Sequence, residues 1–215
     1  MRTHFLLVLL SVLVVACVNA TPVLAIGIPS PERSIVPGHI VLVGLSGGVA
    51  DAALAEFVVK VRDHNSNPWP GASVSVDFSS AWDVRLAAVQ PDAELIVDCN
   101  ALSVRKTADA QGEARFTIVG CGAGVFSSGN TQSRIRVYAN GAELAAPAVH
   151  TYDLDGQLGL GAGDLSLFLQ EFSTGTGSWA ADYDGSGSIG SADLSLWLAA
   201  FSKATQTSSA GVVCP

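Results

Sequence analysis

Six aspartates carry the chemistry that this sequence advertises. Asp153, Asp155 and Asp164 stand at positions 1, 3 and 12 of a twelve-residue stretch, and Asp182, Asp184 and Asp193 repeat those positions 29 residues later. A constant offset over two in-register stretches marks an internal duplication. Carboxylates at this spacing serve a hard cation, because Ca²⁺ takes six to eight oxygens and a loop of the EF-hand kind supplies them from positions 1, 3, 5, 7, 9 and 12. In the second loop Ser186 offers a hydroxyl at position 5, Ser188 a carbonyl at 7, Gly190 leaves room for water at 9, and Gly187 takes the sharp turn at 6. The first loop has Gln157 at 5, Leu158 at 6 and Gly159 at 7, a poorer ligand set with a strained turn residue. Two calcium sites are expected, the second the stronger.

Each loop runs into the same continuation, Leu-Ser-Leu, an aromatic, then Leu. Leu165, Phe168, Leu169 and Phe172 recur at i, i+3, i+4 and i+7, as do Leu194, Trp197, Leu198 and Phe201, which predicts two amphipathic helices, Asp164 to Phe172 and Asp193 to Phe201, with their apolar faces packed on each other. No helix enters either loop: His150-Thr151-Tyr152 ends a β-like run before Asp153, and a Gly/Ser/Thr spacer precedes Asp182. A duplicated loop with only its exit helix and Asp at position 12 resembles a type I dockerin, from Ala148 to Lys203. The resemblance implies calcium-dependent folding of this module and a cohesin-like or cell-surface protein partner. Positions 10 and 11 read Ala162-Gly163 and Ser191-Ala192, where the dockerins that bind cohesins tightly carry Ser-Thr-like pairs.

The rest of the composition agrees with an exported chain. Charged residues make up 14% of the 215 residues, against about 25% in ordinary globular chains. The net charge of −8 argues against nucleic acid and anionic membrane surfaces as partners. Six aspartates and Glu171 lie between Asp153 and Asp193 with no Lys or Arg among them. Residues 1–20 read as a signal peptide, with a polar start at Arg2 and His4, an apolar run from Phe5 to Val18 too short to span a bilayer, and small residues at the cleavage point. Val14-Val15-Ala16-Cys17 also resembles a lipobox, which would leave Cys17 as a lipidated N-terminus. Outside the signal, Cys99 and Cys121 fall near the ends of expected strands and are the expected disulfide, closing a loop of roughly twenty residues. Cys214 sits one residue from the end and could pair with either, cross-link chains or cap a free tail.

Between the signal and the loops the period changes from helix to strand. Ile40-Val41-Leu42-Val43, residues 56–61, 72–78, 113–119 and 133–138 are β-branched and largely alternating, with turn clusters at 63–68, 109–112 and Asn140-Gly141. Short strands at this rhythm predict a mainly β chain with a two-sheet antiparallel sandwich. The order of residues 57–63, 67–74 and 107–114 resembles the invasin/intimin class of bacterial Ig-like domains. The expected organisation is a signal peptide at 1–20, a linker at 21–33, an Ig-like sandwich at 34–149, a dockerin-like repeat at 150–203 and a tail at 204–215.

Nothing in the sequence has the spacing of an active site, so a non-enzyme is expected. His39, His64 and His150 are far apart in sequence and lack neighbouring ligands, no Ser stands in a nucleophile elbow, and Gly44-Leu45-Ser46-Gly47-Gly48 lacks the Lys of a phosphate loop. Asp77, Asp83, Asp92, Glu94 and Asp98 are the carboxylates from which a hydrolase pair would have to come, and Trp69 and Trp82 the aromatics that could line a carbohydrate face. Two functions stand: a secreted or surface calcium-binding protein acting in assembly or adhesion, and an accessory component of polysaccharide breakdown whose sandwich binds carbohydrate.

Overall fold

The structure is a computed structural model that describes residues 28–46, 49–124, 133–157, 159–174, 179–204 and 211–215. The expected signal peptide with Cys17, most of the linker, the Gly47-Gly48 turn and Leu158 lie outside the described residues. Strand residues outnumber helical ones. The strands are β1 (His39–Leu42), β2 (Leu45–Ser46), β3 (Val49–Ala50), β4 (Phe57–Lys60), β5 (Ser73–Asp77), β6 (Val84–Leu86), β7 (Ile96–Asp98), β8 (Ser103–Thr107), β9 (Glu113–Phe116), β10 (Gly120–Gly122), β11 (Arg136–Ala139), β12 (Ala142–Ala145) and β13 (Ala148–Thr151). The α-helices are α1 (Ala52–Ala55), α2 (Ala162–Thr174) and α3 (Ser191–Ala204), with a 3₁₀ turn at Trp179–Ala181.

The largest sheet runs β12-β11-β5-β8-β7, every neighbour antiparallel. Its β11–β12 hairpin turns through Asn140 and Gly141 at φ 48° and 83°, the two positive angles that an Asn-Gly turn of this hand requires. Across the core stand shorter pairs: β4 with β9, β6 with β10, and β1 with β13, the last parallel. Val74 and Val76 of β5, Val104 of β8 and Val137 of β11 face Val59, Phe116 and Ile118 to form the main core.

β1 serves two cores. Ile40 and Leu42 point into the main core, while Val41 and Val43 point the other way, into a second cluster with Tyr152, Leu154, Phe168, Tyr183 and Trp197. Burial on both faces explains why this strand reads as an unbroken apolar run. It also changes the packing expected of the helices. The buried positions are Asp164, Phe168 and Glu171 on α2 and Asp193, Trp197 and Ala200 on α3, whereas Leu169, Phe172 and Leu198 are about half exposed. Phe168 and Trp197, one from each stripe, share the second cluster with Val41 and the two tyrosines, so the stripes pack on β1 and the aromatic pair and not on each other alone.

The disulfide joins Cys99 to Cys214, not to Cys121, which is a buried free thiol. Strand alternation is the reason. Cys121 shares a face with Val119 and Ala87, on the side away from the main core, whereas Cys99 packs against the main core. The C-terminal segment crosses to it: Val213 bridges Ala87, the Cys214 amide donates to the Leu86 carbonyl at 2.8 Å, and Cys214 turns into the main core beside Cys99. Residues 211–215 thus lie alongside the end of β6, held by a single antiparallel bridge at Val213 and the Cys214 amide.

Candidate metal centre

Both loops fold around their first and last aspartates. Asp153 accepts from the Gly156 and Gly159 amides at 2.8 and 2.9 Å, and Asp182 from those of Ser186 and Gly187 at 3.0 and 2.9 Å. At position 12, Asp164 accepts from Leu154, Asp155 and Gly161, and Asp193 from Asp184 and Gly190. The position-12 carboxylates lie in the first turns of α2 and α3, where the amide ends of a helix favour negative charge. These contacts pull the ends of each loop together. As a result Asp153, Asp155 and Asp164 bring ligand oxygens within 4.8 Å of one another, and Asp182, Asp184 and Asp193 do the same.

The remaining predicted ligands differ between the copies. In the second loop the Ser186 hydroxyl donates to the Ser188 carbonyl at 3.0 Å, so positions 5 and 7 lie side by side. Gly185 and Gly187 take positive φ of 67° and 83°. In the first loop Gln157 is exposed and its backbone N–H donates to the Asp155 carboxylate, while Gly156 and Gly159 carry the positive angles, 68° and 146°. The first loop thus takes a positive angle at position 7, where glycine stands.

The electrostatics favour a cation. Asp153, Asp164, Asp182 and Asp193 are almost wholly buried. Burial is the main reason the Asp153 carboxyl is pushed up to about 6, with the nearby Asp164 and Asp155 charges adding to the rise against the Gly159 and Gly156 amides. Burial likewise raises Asp164 and Asp182. Asp184, at the surface, is held below its ordinary value by its contacts with Ser186. Crowded carboxylates resist ionising together unless a positive charge joins them. The donors are all oxygen, which suits calcium or magnesium better than a thiophilic metal.

Several residues around the loops carry no signal of their own in the sequence. Tyr152 directly precedes Asp153, Tyr183 directly follows Asp182, and their rings lie 4.5 Å apart, so an aromatic pair joins the first positions of the two loops. The Trp197 indole N–H donates to the Tyr152 carbonyl at 3.3 Å. The first loop lies against the end of β10: the Gly122 amide donates to the Asp153 carbonyl at 2.6 Å, and a Cβ on Gly122 would fall 2.5 Å from the Leu154 carbonyl oxygen. Glycines at 120, 122 and 124 after a strand were the one sequence cue to that close approach. The second loop lies against His39, whose ring abuts Gly185. Parallel pairing of β1 with β13 brings His39 to 5.9 Å from His150, between ring centres, so these two histidines are neighbours and not the separate residues that the sequence suggests.

The carboxylates considered for a hydrolase are otherwise engaged. Asp92 and Glu94 both bind Lys106, at 2.7 and 3.1 Å. Asp77 and Asp98 accept from backbone amides two residues on, and Asp83 is buried. Trp69 packs on the main core, while Trp82 is about half exposed.

No family model and no curated protein matches this chain. Among solved structures it is similar to the Yersinia pseudotuberculosis adhesin InvE, with 17% identity and a TM-score of 0.26 over 58% of this chain. The chain spans 28% of that adhesin's length. At that score the likeness carries no argument about fold or function. No described helix is long and apolar enough to cross a membrane.

Proposed function

We propose that this chain is an exported, non-catalytic calcium-binding protein in which an Ig-like module carries a dockerin-like repeat, acting in protein assembly or surface adhesion. The observation that carries this reading is the pair of aspartate triads, each gathered within 4.8 Å with its first and last carboxylates buried on the same scaffold of amide donors. A divalent ion at each would be held by Asp153, Asp155 and Asp164, and by Asp182, Asp184 and Asp193 with Ser186 and Ser188. Such an ion supplies positive charge and nothing chemical beyond it. The protein's residues do the rest: they close each loop, present oxygens, and fix the start of α2 or α3.

An assembly role is supported by what the helices leave uncovered. Leu169 and Leu198 are equivalent under the 29-residue repeat, and both are about half exposed, as is Phe172. Apolar side chains repeated on two helices of one module suit a protein partner, of cohesin-like or cell-surface type. The test is calorimetric titration of the full chain with calcium and, separately, magnesium. Two calcium-binding events, at least one of them tighter than magnesium, are expected; an absence of heat with both ions would refute the reading.

A further inference from the structure

The outer face of the five-stranded sheet is hollow where a solvent-facing sheet is ordinarily filled by β-branched or long side chains. β5, its central strand, presents Ser73 and Ser75 outward, and its neighbour β8 presents Ser103. Cross-strand pairing sets Ser75 between Tyr138 and Arg105, with Ile96 beyond, and the next row sets Asp77 and Ser103 between Arg136 and Asp98. Small residues in the middle and larger ones at the sides leave a trough of about 680 Å³ lined by Ser73, Ser75, Ser103, Arg105, Ile96 and Asp98, with Asn140 at one end.

The polar groups of this trough are unspent. The Ser34 and Ser80 hydroxyls elsewhere donate to backbone carbonyls. The Ser73, Ser75 and Ser103 hydroxyls make no hydrogen bond among the described residues, nor does the Arg105 guanidinium make an ion pair there. Asn140 uses its carbonyl oxygen on the Ser73 amide at 2.9 Å, leaving its NH₂ free to donate. Asp98 accepts the Asn100 and Ala101 amides with one oxygen and keeps the other.

We propose that this trough binds a neutral saccharide. Hydroxyls that can both donate and accept, an amide NH₂ and a planar guanidinium are the partners that a sugar's vicinal hydroxyls need, and the exposed Ile96 side chain offers an apolar surface to the C–H face of a sugar ring. Charge selects the neutral class. Arg105 and Asp98 cancel within the trough, and the chain as a whole carries −8, so a polyanion gains little at the site and is repelled on approach. The site lies on the sheet and its β11–β12 turn and shares no residue with the aspartate loops, so it does not rest on the cation reading, and measuring with calcium and again with EDTA separates the two.

The experiment titrates the full chain with β-1,4-linked hexasaccharides of glucose, mannose and xylose as neutral probes, and with hexagalacturonate as the acidic one, read by calorimetry and by NMR shifts. Ser75→Val together with Ser103→Val fills the floor with residues that strands prefer, so the fold should hold, as an unchanged unfolding temperature would report. Arg105→Ala, at an exposed position, is the second variant should the first fail to fold. The expected result is binding of at least one neutral hexasaccharide, weakened by about tenfold or more in either variant. Binding of none, binding as tight in the folded variants, or preference for hexagalacturonate would each overturn the proposal.

Discussion

Asp153 and Asp182 hold the same place in their loops but are supported differently. Asp182 is held by amides from two successive residues, Ser186 and Gly187, beside a paired Ser186 hydroxyl and Ser188 carbonyl. Asp153 is held by Gly156 and Gly159, and its position-5 residue, Gln157, stands in solvent. Asp182→Ala should therefore cost more calcium affinity than Asp153→Ala, by about tenfold, as titration of the two variants would read. Equal losses would mean that the serine oxygens contribute nothing.

Asp83 makes a second prediction at this scale. It is 5% exposed, its Oδ1 has no hydrogen-bond partner among the described residues, and burial raises its carboxyl. A carboxyl whose folded value lies above the unfolded one gives stability below the unfolded value, near pH 4, and loses it as pH rises through the folded value. Asp83→Asn removes that loss. Urea unfolding should show the variant gaining on the wild type between pH 4 and pH 8, and a gap that stays constant over that range would contradict the account.

At the scale of elements, β10 lies close against the first loop. Gly122→Ala would drive a Cβ into the carbonyl oxygens of Asp153 and Leu154, both backbone atoms that cannot swing aside. The change should destabilise the protein by roughly 2–3 kcal/mol and weaken the first ion site more than the second, measurable by denaturant titration and calorimetry. The C-terminal segment gives another prediction. Cys99 and Cys214 are separated by 115 residues, so their bond closes a long loop, and Cys99→Ser should cost about 4–5 kcal/mol in the chain-entropy picture. Non-reducing peptide mapping should recover Cys99 linked to Cys214, with Cys121 alkylated only after denaturation.

These elements also show what a sequence discloses. The duplication, its aspartates and the strands with β-branched alternation were legible because each signal is local. The cysteine pairing was not, because which face Cys121 takes depends on the register of β10 against β6, and Cys214 reaches Cys99 only because the C-terminal segment pairs beside β6. Short strands such as β6 and β7, with three residues each, carry too few positions to show a period. The helix stripes were read as one complementary pair because nothing in α2 or α3 reveals that Val41 and Val43 lie beneath them.

For the whole molecule, the shared strand decides how the parts respond to ions. A self-contained repeat would melt on chelation and leave the five-stranded sheet standing. Here β1 puts alternate side chains into both cores, β13 pairs with it and runs straight into Asp153, and Lys203 at the end of α3 binds Asp51 at the start of α1 at 2.6 Å. Ion binding should therefore stabilise the sheet as well as the helices, through mass action on one folded state. The most direct test is calorimetric unfolding of the full chain in excess EDTA and in millimolar calcium, followed by near-UV circular dichroism for aromatic packing and far-UV for helix. The account predicts a rise in unfolding temperature with calcium, with both signals lost in one shared transition. An unfolding temperature unchanged between EDTA and calcium would contradict the claim that the two aspartate triads are ion sites.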